Sequence, residues 1–132
     1  MLDETNFKID ENNSLLILDD DQPFLKRLSV AMEKRGFNVF PASSMAEFSR
    51  IIESDCPNYA IIDLRLSDGT GLDAVENIRN INPKSKIVVL TGYGAIATAV
   101  AAVKIGAIDY LSKPADANDI LNALVFSDQS KP

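Results

Sequence analysis

The chain has no histidine, no tryptophan and a single cysteine, Cys56. Without histidine there are no Ser-His or Cys-His catalytic pairs and no histidine-ligated zinc, and one thiol cannot form an internal disulfide. A metal, if the protein uses one, must be held by oxygen, which favours magnesium or calcium. Basic residues are few: 13 Lys and Arg stand against 19 Asp and Glu, for a net charge of -6. Unaided nucleic-acid binding needs a basic surface to neutralise phosphates, so that class is disfavoured. Long apolar runs are missing too. The longest candidate, residues 95–103, is alanine-rich and too short to cross a bilayer, and the N-terminus lacks a basic, apolar, small-residue signal pattern. The expectation is a cytoplasmic protein with no membrane partner.

What the chain does have is enough apolar mass for one core, with 46% hydrophobic and 24% charged residues in 132. That mass falls in short unbroken runs that end on oxygen-bearing side chains. Tyr59-Ala60-Ile61-Ile62 ends on Asp63, Leu15-Leu16-Ile17-Leu18 on Asp19, Asp20 and Asp21, and Ile87-Val88-Val89-Leu90 on Thr91. A fourth run, Ile108-Asp109-Tyr110-Leu111, leads into Ser112-Lys113-Pro114. Runs without polar alternation suit strands buried on both faces of a parallel sheet. The C-terminal edge of such a sheet is where ligands bind. Asp19, Asp20, Asp63 and Thr91 are therefore expected on one rim, with Lys113 as its cation.

Residues 1–13 are polar and mostly acidic and read as a flexible lead-in, with the domain starting at Ser14. Gln22-Pro23 opens a helix that buries Phe24, Leu25, Leu28, Ala31 and Met32 and closes at Gly36. Asn38-Val39-Phe40 reads as a short strand. Ser44 and Glu47 form a capping box for a helix burying Met45, Phe48, Ile51 and Ile52, which Cys56-Pro57-Asn58 breaks. After Asp63, residues 64–69 read as a loop tightest at Asp68-Gly69. The next helix turns Leu72, Val75 and Ile78 inward and stops near Asn82-Pro83. Residues 95–104 read as a helix with Ile96, Val100 and Val103 inside and Ala97, Thr98 and Ala101 outside, closed by Gly106. The last helix starts near Asp116, carries Asp119 in its first turn and buries Ile120, Leu121, Leu124 and Val125. Five strand-helix alternations predict an α/β fold, a right-handed doubly wound parallel sheet covered by helices on both faces.

The pair Asp19-Asp20, then Asp63, Thr91 and Lys113-Pro114, each after successive strands, resembles the signature of response-regulator receiver domains. The resemblance covers residues 14–126. Two longer strings, DDDQPFLKRLSVAMEKRGF from Asp19 and TGYGAIATAVAAVKIGAIDYLSKPAD from Thr91, are similar to the RegA/PrrA/ActR type of redox-responsive global transcription regulators. The resemblance implies a CheY-like, flavodoxin-like five-stranded sheet in the order 2-1-3-4-5. It implies a signalling domain rather than a turnover enzyme, with Asp63 as phospho-acceptor, a partner histidine kinase as phosphohistidine donor, and Thr91 and Lys113 on the phosphoryl oxygens. Magnesium would be held by Asp19, Asp20, Asp63 and the backbone carbonyl of Arg65. Thr91 and Tyr110 would be switch residues, and Arg65 and Tyr93 would set the phosphoryl lifetime. Residues 127–132 would begin a linker to a helix-turn-helix output domain, through which alone DNA would be contacted. The face of helix 95–104 and strand 108–111 is a candidate homodimer surface.

The chemistry has a rationale apart from the family. If strands one and three are neighbours, three carboxylates converge at the switch point of the sheet and repel, and a divalent cation relieves them. A carboxylate can then act as nucleophile toward phosphorus, with positioning and charge neutralisation replacing a protein acid or base. Other readings stay open. A stand-alone phosphorelay protein would have the same receiver without a DNA-binding half. A haloacid-dehalogenase-like phosphatase would use Asp19-x-Asp21, Thr91 and Lys113, although Pro23 stands where threonine or valine is usual and no cap domain fits. Asp21 also reads as a helix-entry residue, Asp68 as turn chemistry, Tyr110 as core packing and Cys56 as incidental. The two G-x-G-x-x-A strings from Gly69 and Gly92 read as loop glycines. Ser67 stands where receivers usually have proline, which predicts a more mobile loop, and Gly92 stands where alanine is common.

Overall fold

The computed structural model describes residues 13–92 and 96–126. Tyr93, most of the expected lead-in and residues 127–132 lie outside the described residues. Four apolar runs became the strands β1 (Ser14–Leu18), β3 (Tyr59–Asp63), β6 (Lys86–Thr91) and β7 (Asp109–Ser112), and β2 is Asn38–Ala42. All pair in parallel in the order β2-β1-β3-β6-β7. This is the expected 2-1-3-4-5 sheet, since β4 (Arg65–Leu66) and β5 (Gly69–Thr70) form only a separate antiparallel ladder. The segment expected to be loop is thus a small hairpin, with Ser67-Asp68 as its turn and Gly69 already on the return strand.

Both faces of the three central strands are buried, which is why these strands lack polar alternation. Leu15, Ile17, Tyr59, Ile61, Val88 and Leu90 pack against α1 (Gln22–Lys34) and α5 (Ala117–Phe126). Leu16, Leu18, Ala60, Ile62, Ile87 and Val89 pack against α2 (Met45–Ser54), α3 (Gly71–Ile81) and α4 (Ile96–Lys104). Period-two alternation splits the runs of β1, β3 and β6 evenly between two clusters. It also fixes the rim. Continuing Leu15 and Ile17 by two places puts Asp19 on the α1/α5 side, and Tyr59 and Ile61 put Asp63 there as well.

Helix starts follow the side chains expected to cap them. Asp21 accepts the Phe24 N–H at 3.2 Å and caps α1, so its role is structural. Ser44 accepts the Glu47 N–H at 3.1 Å, but the Glu47 carboxylate reaches past it to the Ser43 N–H and hydroxyl, at 2.7 and 3.0 Å. Those bonds hold Glu47 below the usual carboxylate range, the Ser43 backbone contact most of all. Asp116 accepts the Asp119 N–H at 2.9 Å at the start of α5. Gly36 and Gly106 close α1 and α4 with φ of 101° and 131°, a region that favours glycine.

The second strand runs longer than its expected three residues because β2 is an edge. Asn38 donates its N–H inward to Asn13, and Ala42 accepts inward from the Asp19 N–H, both at 3.0 Å. Alternation then turns the nitrogen of Pro41 outward, where a missing N–H costs no ladder bond.

The expected inward face of α4 is wrong, although Ala97 is exposed as expected and Thr98 and Ala101 are half-buried. Ile96, Val100 and Val103 are 52%, 41% and 38% exposed, and the fully buried residues are Ala99 and Ala102. Apart from Thr98 and the terminal Lys104 the helix is built of apolar residues on all sides, so periodicity could not choose a face. Small side chains facing α3 and β6 let it settle close to the sheet, and the bulky ones are left outside.

Candidate functional site

The sheet order makes β1 and β3 direct neighbours, with Leu18 opposite Ile62. The residues that follow, Asp19 and Asp63, therefore meet at the rim. One carboxylate oxygen from each of Asp19, Asp20 and Asp63 lies within 4.8 Å of the others. Asp19 is fully buried and Asp63 is 5% exposed, whereas Asp20 is half-buried.

Each carboxylate is held differently. Asp19 accepts the Asp21 N–H at 2.9 Å and the Lys113 ammonium at 2.7 Å. Asp63 accepts the Arg65 N–H at 3.2 Å and reaches the same ammonium at 3.4 Å. Asp20 takes both its bonds from Ser67, the N–H at 2.8 Å and the hydroxyl at 2.7 Å, on one oxygen. Lys113 is steered from β7: its N–H donates to the Thr91 carbonyl at 2.8 Å, and its ammonium lies 4.7 Å from the centre of the Phe24 ring. The Lys113-Pro114 peptide bond is cis.

Three carboxylates face one ammonium, and the titration of the groups reflects the imbalance. Burial, then the charge of Asp19, push Asp63 up from 3.8 to about 6, against the pull of the Arg65 N–H and Lys113. Burial works to lower Lys113, but its bond to Asp19 and the charges of Asp63 and Asp19 outweigh it, and its value ends above the ordinary one. An all-oxygen donor set with excess negative charge fits a hard divalent cation.

Thr91, 1% exposed, ends β6 beside Ser112, and its hydroxyl donates to the Gly92 carbonyl at 3.1 Å. Tyr110 lies half-buried on the α2/α3/α4 side, the face to which alternation from Ile87 and Val89 also assigns Thr91. Arg65 is exposed at the start of β4. Cys56 is half-buried, its thiol pushed up by burial.

Three residues of the site were not singled out for it from sequence. Phe24, expected as core, forms the floor under Lys113. Gly71, taken for a loop glycine, is a close approach: a Cβ there would fall well inside contact distance of the Asp63 carbonyl oxygen and 2.8 Å from Leu64 Cα. Ser67, noted from sequence as a departure from proline, gives its N–H and hydroxyl to Asp20. Only the last had a visible signal, a hydroxyl where proline is usual.

The profile described as "Response regulator receiver domain" matches residues 15–125. The chain belongs to that family. The receiver is 60% identical over 129 residues to the photosynthetic apparatus regulatory protein RegA of Rhodovulum sulfidophilum, covering 98% of this chain and 70% of that protein. It is 58% identical over 117 residues to the acid tolerance regulatory protein ActR of Rhizobium meliloti, covering 89% of this chain and 60% of that one. Among solved structures, a response regulator from Burkholderia pseudomallei with a phosphorylated aspartic acid, calcium ion and citrate matches with a TM-score of 0.82 and 36% identity, over 89% of this chain and 69% of that one. The receiver is thus a domain of a two-component response regulator, resembling the RegA and ActR type. Asp21, which the phosphatase reading needs beside Asp19, caps α1 and is not in the cluster of Asp19, Asp20 and Asp63. Among the described residues no helix is long and apolar enough to cross a membrane.

Proposed function

We propose that this receiver takes a phosphoryl group from a partner histidine kinase onto Asp63. The observation that carries the reading is the single ammonium of Lys113 shared between Asp19 and Asp63. A lone pair of the Asp63 carboxylate attacks phosphorus, the P–N bond of the phosphohistidine breaks, and its electron pair leaves with the imidazole, which takes a proton from solvent. Lys113, already in reach of Asp63, and the hydroxyl of Thr91 bind the phosphoryl oxygens. Asp19, Asp20, Asp63 and the carbonyl of Arg65 would hold Mg2+, which supplies positive charge against the carboxylates and the incoming group. Thr91 then reorients with Tyr110 on the shared face, and Arg65 and Tyr93 control access of hydrolytic water.

The output is proposed from the relatives. RegA and ActR are named as regulatory proteins, and the more distant relative GlrR of Escherichia coli as a transcriptional regulatory protein, which supports a regulator of transcription. A cytoplasmic location and DNA contacts through a C-terminal helix-turn-helix domain are what the resemblance to the RegA/PrrA/ActR type implies. The test of the core reading is intact-protein mass after acetyl phosphate, with and without Mg2+. One phosphoryl adduct is expected, dependent on Mg2+ and absent in Asp63→Asn; an adduct that persists in Asp63→Asn defeats the assignment.

The exposed face of α4 supports pairing on activation. Ile96, Val100, Val103 and Ile105 are large apolar residues left in solvent beside β7, and a second copy of this face would cover them. Val100→Glu should leave the adduct intact and abolish any phosphorylation-dependent rise in molar mass seen by light scattering. Equal association of the variant and the natural chain would rule the face out.

A further inference from the structure

The hairpin turn between β4 and β5 is fastened at both ends. Ser67 gives its N–H and its hydroxyl to one oxygen of Asp20, Oδ2. The next residue, Asp68, accepts the N–H of Met45 at 3.0 and 3.1 Å on its two oxygens, at the first residue of α2. Gly69 continues the contact, since a Cβ there would lie 3.0 Å from Met45 Cγ. The turn therefore spans the distance from the carboxylate cluster to the start of a packed helix. Lys113 orients Asp19 and Asp63, and Ser67 orients Asp20.

A carboxylate oxygen has two lone pairs, and both on Oδ2 are used by Ser67. Oδ1 is left as the oxygen Asp20 can offer a cation. We propose that Ser67 is a positioning residue for the divalent cation: it fixes the rotation of Asp20 so that Oδ1 faces the cluster, and Asp68 braces it against α2. The proposal rests on the reading that Asp19, Asp20 and Asp63 hold such a cation. Bonds to ligating carboxylates from the surrounding shell typically govern about 10–100-fold in metal affinity. Proline at this position, the usual receiver residue, removes both donors while suiting a turn.

The experiment is calorimetric titration of Mg2+ into the natural chain, Ser67→Ala, Ser67→Pro and Ser67→Thr, with no phosphoryl donor present. Thermal melts in chelator report folding separately. Ser67→Pro should bind Mg2+ about 10-fold or more weakly, Ser67→Ala should fall between it and the natural chain, and Ser67→Thr should restore affinity. Hydrogen exchange supplies a reading free of metal: the Ser67 amide should exchange faster in Asp20→Ala while amides of β3 do not. Unchanged affinity in both Ser67→Ala and Ser67→Pro, or tighter binding in either, overturns the role given to Ser67. A natural chain that takes up no Mg2+ overturns the cation site itself, and with it this proposal.

Discussion

Asp63→Asn, which removes the proposed phospho-acceptor, is expected to make the cation-free receiver more stable at pH 7, by about 3 kcal/mol at most. Burial and the charge of Asp19 hold the Asp63 carboxyl at about 6 instead of 3.8, so the folded chain resists its ionisation. Between those values the folded form binds more protons than the unfolded form, and stability falls as pH rises from about 4 to about 6. Above that window the full penalty applies; below it there is none. Asparagine keeps the shape without the charge. Lys113 does not lose its main partner, because Asp19 at 2.7 Å is closer than Asp63 at 3.4 Å. Unfolding in chelator should therefore show the variant ahead at pH 7 and level with the natural chain near pH 4. Mg2+ should stabilise the natural chain more than the variant. Superimposed unfolding curves at pH 7 would show that burial does not penalise Asp63.

Gly71→Ala should act in the opposite direction and more broadly. The added methyl would meet backbone on two sides, the Asp63 carbonyl and Leu64 Cα, and side chain on a third, Ile62 Cγ2 at 2.9 Å. Backbone at the end of the central strand, where the Leu64 N–H is bonded to the Leu90 carbonyl at 3.0 Å, cannot yield as a flexible side chain can. Relief requires α3 to move off β3, and the cost should be about 3 kcal/mol, or roughly 10 °C in melting temperature. The shift displaces the end of β3 and hence Asp63, so Mg2+ affinity should fall together with stability. A variant that melts like the natural chain and binds Mg2+ normally would show that the approach is looser than the geometry indicates.

These two residues mark what the sequence could and could not disclose. Asp63 was legible because an apolar strand of Tyr59, Ala60, Ile61 and Ile62 delivers it to the rim, and the same logic found Asp19, Thr91 and Lys113. Gly71 was not legible, because a glycine needed for close approach looks like any loop glycine until the neighbouring strand is in place. The inward face of α4 failed for a different reason: residues 96–103 are apolar except for Thr98, and only packing against the sheet selects Ala99 and Ala102 over Ile96 and Val100. The role of Ser67 lay between these cases. Its departure from proline was visible, but its partner Asp20 is 47 residues away in sequence, and a contact at that range cannot be inferred from local pattern.

Pro41 limits how this receiver can assemble. Among the described residues the sheet has two open borders, at β2 and at β7, and an extended strand added to a border normally exchanges N–H and C=O groups along its whole length. At the β2 border the proline ring stands where a donor would be, so a foreign strand meets a gap and a bulky ring there. Growth through the sheet is discouraged on that side. Two copies meeting across α4 and β7 would consequently form a closed pair with β2 facing outward on both, and that pair has no ready strand by which to extend into a fibre.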